Sequence, residues 1–169
     1  MIRPLRGAAH LLVFGFTAIW MELAFGRLNF WLPCGFLFSF YLAASRGWRF
    51  AACWSSFAAV VLSDLGGYIS FPGFCVAVAF GQIWRRHGER SRLLVQIFPA
   101  LVFLFLAEGI TLGIEHAHHH SQHLQEDFLS FLYSIGSGAL AFPILLLIWD
   151  GCAERLGLPA YDSGVESHA

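Results

Sequence analysis

One stretch decides the fold: residues 93–114 read LLVQIFPALVFLFLAEGITLGI. Glu108 is the only charged side chain in it. An α-helix of about 22 residues is roughly 33 Å long, which matches a bilayer hydrocarbon core of about 30 Å. The stretch therefore predicts a transmembrane helix.

The rest of the chain has the same apolar character. Hydrophobic residues make up 57% of the 169 residues and charged residues only 12%, whereas a soluble domain carries about 25% charged residues. So few charges leave too little polar surface for a water-soluble globule. We expect an all-α, polytopic membrane bundle of six transmembrane helices, over residues 8–25, 28–44, 48–65, 67–84, 93–114 and 128–149.

The arginines predict the orientation of this bundle. All ten basic residues are Arg, and a cytoplasmic N-terminus places every one except Arg27 on the inner side. The positive-inside rule favours this arrangement, in which both termini are cytoplasmic. We expect a transmembrane domain over residues 1–150 and a short polar cytoplasmic tail over 151–169. The inner arginines are Arg3, Arg6, Arg46, Arg49, Arg85, Arg86, Arg90, Arg92 and Arg155.

Polar and small residues within the apolar runs are the candidate contact residues. Ionisable groups at membrane depth are costly, and glycines allow membrane helices to approach closely. Glu108 has either a structural hydrogen-bonding role or a ligand or proton role. Candidates for packing or partner contact are Asp64, Glu108, Gly109, Gly113, Gly136 and Gly138, and the polar candidates in the outer half are Glu22 and Asn29.

The outer loop between the last two spans is rich in histidine. His116, His118, His119, His120 and His123 lie within eight residues, and imidazole groups can bind zinc, nickel or copper. A defined metal site, however, needs ligands held on rigid elements with supporting hydrogen bonds. We interpret this segment as a solvated loop and predict no metal site.

Other functional classes lack their sequence signals. The sequence holds no P-loop, GxGxxG or zincin motif, so we expect no enzyme, no catalytic residues and no cofactor. The arginines form no continuous stripe for nucleic acid. The cysteines form no CxxC pair and are interpreted as small residues of apolar segments; they are Cys34, Cys53, Cys75 and Cys152.

Three segments resemble the rod shape-determining protein MreD family. The first has Leu-Pro at 32–33, Tyr-Leu-Ala at 41–43 and Arg-Gly-Trp-Arg at 46–49. The second ends a helix at Asp64 before a turn that contains glycines and Pro72, and the third is the closing stretch 141–157. Chain length and number of spans agree with this resemblance, which covers most of the chain.

The resemblance implies a function in cell shape. Such a protein is a non-enzymatic, multi-pass component of the bacterial inner membrane that belongs to the elongation machinery. The resemblance implies binding to the single-span protein MreC, and coupling of cytoplasmic MreB filaments to the elongation peptidoglycan synthase. Beyond these proteins, the bilayer itself is the expected partner.

A second resemblance leads to a different class of protein. Asn29-Phe30, Pro33 and Ser63-Asp64 also resemble a pattern of the substrate-binding S components of energy-coupling-factor vitamin transporters. That reading implies a ligand cavity in the outer half, lined by Glu22, Asn29, Asp64 and nearby aromatic residues. We favour the shape-determination reading, because the small-residue motifs that S components present to their coupling subunit are absent.

Overall fold

The computed structural model describes residues 2–28, 32–66, 71–88, 92–119 and 124–161. This part of the chain is helical and contains no strand, which confirms the predicted all-α class. Its helices are α1 (Ile2–Arg27), α2 (Cys34–Ser45), α3 (Trp48–Gly66), α4 (Phe71–His87), a short 3-10 helix (Leu93–Gln96), α5 (Ile97–His119) and α6 (Leu124–Arg155).

Three helical segments are long and apolar enough to cross a membrane. They are Leu5–Arg27, Leu93–Ile114 and Phe128–Arg155, and they coincide with the first, fifth and sixth predicted spans. Such helices are typical of a membrane protein, and we treat the chain as one. Six crossings and two cytoplasmic termini stay predictions.

Helix α2 is shorter than its predicted span of 28–44, because it begins only at Cys34. Pro33 explains the late start: proline has no backbone N–H, and the residue before it disfavours the helical conformation. The helix has 12 residues, which corresponds to a length of about 18 Å. Helix α2 alone is therefore too short to cross the hydrocarbon core.

All of α2 is buried, and its aromatic rings hold the bundle together. Phe38 makes T-shaped contacts with Trp54 on α3 and Trp149 on α6, with ring centroids 5.4 Å and 5.0 Å away. Phe40 stacks on Phe103 of α5 at 4.6 Å and lies 5.4 Å from Phe142 of α6. Each such pair contributes about 0.5–1.5 kcal/mol beyond burial, so α2 forms the centre of the fold.

A tight turn at Gly47 reverses the chain between α2 and α3. Gly47 has a φ of +104°, a conformation that other residues adopt only with strain. The N–H groups of Arg46 and Gly47 both donate to the carbonyl of Leu42, at 2.8 Å and 3.1 Å. These bonds satisfy the end of α2, and they place Arg46 at its boundary.

Helices α2 and α4 approach each other closely at Gly81. A Cβ atom at this position would lie 2.6 Å from the Ala43 Cβ and 2.8 Å from the Phe40 carbonyl oxygen. The next residue, Gln82, donates its side-chain N–H to the Ala43 carbonyl at 2.5 Å. The contact therefore requires glycine and is fixed by a hydrogen bond beside it.

We predict that Gly81→Ala destabilises the protein, because the added methyl group has no room and overpacking costs about 1–3 kcal/mol. The measurement is the thermal unfolding midpoint in detergent. Gly151→Ala is the matched control, since no atom of the described residues lies within 4 Å of a Cβ built at residue 151. Equal midpoints for the two variants would contradict the proposed close contact.

Candidate functional site

Glu22 caps the buried end of α2. Its Oε2 accepts a hydrogen bond of 2.7 Å from the backbone N–H of Gly35, in the first turn of α2. The first N–H groups of a helix lack intrahelical partners, and they carry the positive end of the helix dipole. The half-buried Glu22 carboxylate on α1 thus satisfies both needs, so this outer-half candidate has a structural partner.

Glu108 joins α5 to α6. The buried hydroxyl of Ser134 donates to Glu108 Oε1 at 2.9 Å. A hydrogen bond between two membrane helices fixes their relative rotation and height. Glu108 thus has a hydrogen-bond partner on α6, and the ligand or proton role stays the other alternative.

The four candidate glycines have different surroundings. A Cβ at Gly138 would lie 2.7 Å from Leu104 and 2.9 Å from Pro33, so this glycine serves packing within the chain. A Cβ at Gly109 would be in ordinary contact with the Phe131 ring, at 3.7 Å. For Gly113 and Gly136, nothing in the described chain lies within 4 Å. We call Gly113 and Gly136 the open glycines.

Each open glycine lies on an exposed apolar row of its own helix. On α5, Leu106 and Ile110 precede Gly113 at helical spacing, and both are exposed. On α6, the exposed Leu132 and Leu140 lie four residues before and after Gly136. Residues three, four or seven apart share one side of a helix. Both glycines therefore form shallow depressions in surfaces that face away from the core.

The remaining predicted site residues are scattered. Asp64 is exposed in the last turn of α3. Helix α5 extends to His119, so the predicted loop is helical at its start, where the His116 side chain is exposed. In the described residues, no three His, Cys, Asp or Glu side chains come together as a metal site would require. Asn29, His120 and His123, and the side chains of His118 and His119, lie outside the described part.

A hydrogen-bonded cluster at the other end of the bundle escaped the sequence analysis. After α6 the chain turns at Gly157, with φ +67°, and folds back so that Tyr161 is buried. The Tyr161 N–H donates to Asp150 Oδ1 at 2.7 Å, and its hydroxyl donates to Gln96 Oε1 at 2.6 Å. Residues 156–161 thereby link the end of α6 to the start of α5. A single tyrosine in a polar segment gave no signal of this contact.

Comparison with known proteins gives no assignment: no family model, no curated protein and no solved structure matches the chain. The fold and the apolar helices define the class, a helical membrane protein.

We predict that Glu22→Ala lowers the thermal midpoint by removing the acceptor of the Gly35 N–H, since an unsatisfied buried donor costs about 1–3 kcal/mol. Glu22→Gln keeps a side-chain oxygen and should retain part of the stability. Thr17→Ala, on the exposed face of the same helix, is the control, because it removes only a local bond to the Val13 carbonyl. If Glu22→Ala lowered the thermal midpoint by no more than Thr17→Ala does, the capping role of Glu22 would be contradicted.

We predict that Tyr161→Phe and Gln96→Leu are coupled. Each removes one partner of the same buried hydrogen bond, so the double variant should be about 1 kcal/mol more stable than additivity requires. A double-mutant cycle of unfolding free energies measures this coupling. Strict additivity would show that the hydroxyl contact contributes nothing to the attachment of residues 156–161.

Proposed function

We propose that this protein is a non-enzymatic scaffold of the bacterial cell-elongation machinery, embedded in the inner membrane. It binds an MreC-like single-span protein and helps to control cell shape by coupling that protein to peptidoglycan synthesis. The proposal combines the resemblance of three sequence segments to the MreD family with a surface suited to binding a membrane helix.

The open glycines are the observation that carries the proposal. Helices associate in lipid through close packing at small residues, because lipid tails are as apolar as the side chains and supply little hydrophobic drive. Gly138 already serves such packing inside the chain. Gly113 and Gly136 offer the same chemistry with nothing of the described chain against them. A single helix of a partner fits such a depression.

The filled centre of the bundle favours a scaffold over a vitamin-binding component. Phe36, Phe38, Phe40 and Tyr41 are each at most 2% exposed and occupy the middle of the described helices. Glu22, which was a candidate lining residue of a vitamin cavity, is engaged with the end of α2. Asp64 lies exposed at the end of α3. Glu22 and Asp64 therefore do not form the polar lining that a vitamin cavity needs.

The charge distribution supports the proposed orientation. Arg85 and Arg86 lie in the last turn of α4, and Arg46 lies at the end of α2. Arg49 follows in the first turn of α3. Arg46, Arg49 and Arg85 line the same cavity. Arginine gathered at one end of a helical bundle marks the cytoplasmic side.

The test is gentle purification of the tagged chain from its native membrane, followed by mass spectrometry of the proteins that accompany it. We predict recovery of an MreC-type protein together with the elongation transpeptidase or glycosyltransferase. Gly113→Leu combined with Gly136→Leu should reduce this recovery at least about tenfold, because each leucine fills a depression that a partner helix needs.

Gly26→Leu is the matched control, since residue 26 lies on α1 and no atom in the described part of the chain lies within 4 Å of its Cβ position. If Gly26→Leu reduced recovery of the partner proteins equally, the partner contact could not be assigned to the open glycines. Recovery of an ATPase pair with a coupling membrane subunit, or of a bound vitamin, would instead assign the chain to a transporter and overturn the scaffold proposal.

A further inference from the structure

A cavity opens at the arginine-rich end of the bundle, between α1, the start of α3 and the segment after α6. Its volume is about 970 Å³, at the upper end of the range of small-molecule sites. Much of its wall is apolar, and these side chains include Ala8, Leu11, Phe50, Leu158 and Pro159. We call it the basic cavity, because three arginines complete its wall: Arg46, Arg49 and Arg85.

The arginines give the basic cavity a strong positive charge. None of the described residues that line it is acidic. Like charges held close together repel, and an anion among them lowers that energy. Guanidinium groups are suited to phosphate, since their planar N–H groups donate two parallel hydrogen bonds to its oxygens. The cavity wall therefore favours a phosphate-bearing ligand.

Arg46 has hydrogen-bonding capacity left over. Its Nη1 donates to the Gly7 carbonyl at 3.3 Å, while Nε and Nη2 are buried without an acceptor in the described chain. Burial lowers the pKa of this guanidinium, but arginine keeps its charge at physiological pH. Unsatisfied buried donors are costly. Arg46 also lines the cavity, so an anion bound there would lie beside an arginine with unused hydrogen-bond donors.

The position of the cavity suits a lipid. Trp48 is exposed beside it, and the Arg49 guanidinium lies 5.7 Å from the centre of the Trp48 ring. Exposed tryptophan and arginine are typical of the level of the lipid headgroups. At that level, the apolar wall accommodates an acyl chain and the arginines meet a headgroup phosphate.

We propose that the basic cavity binds an anionic phospholipid of the inner leaflet, with its phosphate on Arg46, Arg49 and Arg85 and an acyl chain along Leu11 and Phe50. The site is separate from the open glycines and does not depend on any partner protein. It rests on the proposed orientation, which places this end of the bundle at the inner leaflet, but not on the scaffold function, so the two proposals can fail or succeed independently.

The test is native mass spectrometry of the purified full chain in detergent, titrated with phosphatidylglycerol or phosphatidylcholine. We expect phosphatidylglycerol to bind at least about tenfold more tightly. Arg49→Gln with Arg85→Gln should remove most of this preference, because each arginine near a membrane surface strengthens binding of anionic lipid about fivefold. Arg86→Gln with Arg155→Gln is the control of equal charge, since both residues are exposed and lie outside the cavity wall.

A second pair of variants tests the acyl chain without changing charge. Ala8→Phe fills the apolar part of the cavity, whereas Ala9→Phe places the same side chain on an exposed neighbour outside the wall. We expect only Ala8→Phe to weaken phosphatidylglycerol binding. Both variants leave all three arginines in place, so a loss confined to Ala8→Phe assigns the acyl chain to this cavity.

Three results would overturn the proposal. Equal affinity for the two lipids would show that the arginines do not select a headgroup with net negative charge. If both double arginine variants lost the same amount of phosphatidylglycerol preference, the preference would come from general attraction to the basic end of the bundle and not from the cavity. If inorganic phosphate displaced the lipid at similar concentration, and Ala8→Phe left lipid binding unchanged, the cavity would be assigned to a free anion instead.

Discussion

Helix α2 lies wholly inside the bundle and is too short to carry both of its ends to the membrane surfaces. Its terminal N–H and C=O groups therefore need partners within the protein, because lipid offers none. Glu22 supplies the acceptor at one end, and Gln82 supplies a donor near the other. These partners come from α1 and α4, so two hydrogen bonds fix the helices that flank α2. The aromatic rings of α2 then determine where α3, α5 and α6 can pack.

This central helix also bears on where the protein can bind other molecules. Side chains fill the region around Phe38 and Phe40, so recognition is directed to the periphery of the described bundle. Two peripheral features differ in chemistry: the open glycines face outward from α5 and α6, and the basic cavity lies between α1 and α3. We propose the first surface for a partner helix and the second for an anionic lipid.

The sequence predicts those features that depend on length and hydropathy alone, such as the membrane-length apolar helix over residues 93–114. It does not predict features that depend on which other helix a residue contacts. An apolar run does not reveal whether it faces lipid or protein, so the burial of α2 and its start after Pro33 were missed. Glu22 and Glu108 were candidates because they are charged residues within apolar segments. Their hydrogen-bond partners, Gly35 and Ser134, lie on other helices, so the sequence alone did not identify them. Gly136 and Gly138 are two residues apart and look equivalent in sequence, yet Leu104 and Pro33 close off only the second.

The dependence of α2 on α6 sets an order of events during synthesis. Phe38 and Phe40 leave the ribosome roughly a hundred residues before their partners Trp149 and Phe142. At about 5–20 residues per second, that interval is on the order of ten seconds. Throughout it, the rings of Phe38 and Phe40 lack the partners that α6 supplies in the finished fold. Helices α1, α3 and α4, which are synthesised earlier, can already pack against α2 during that interval.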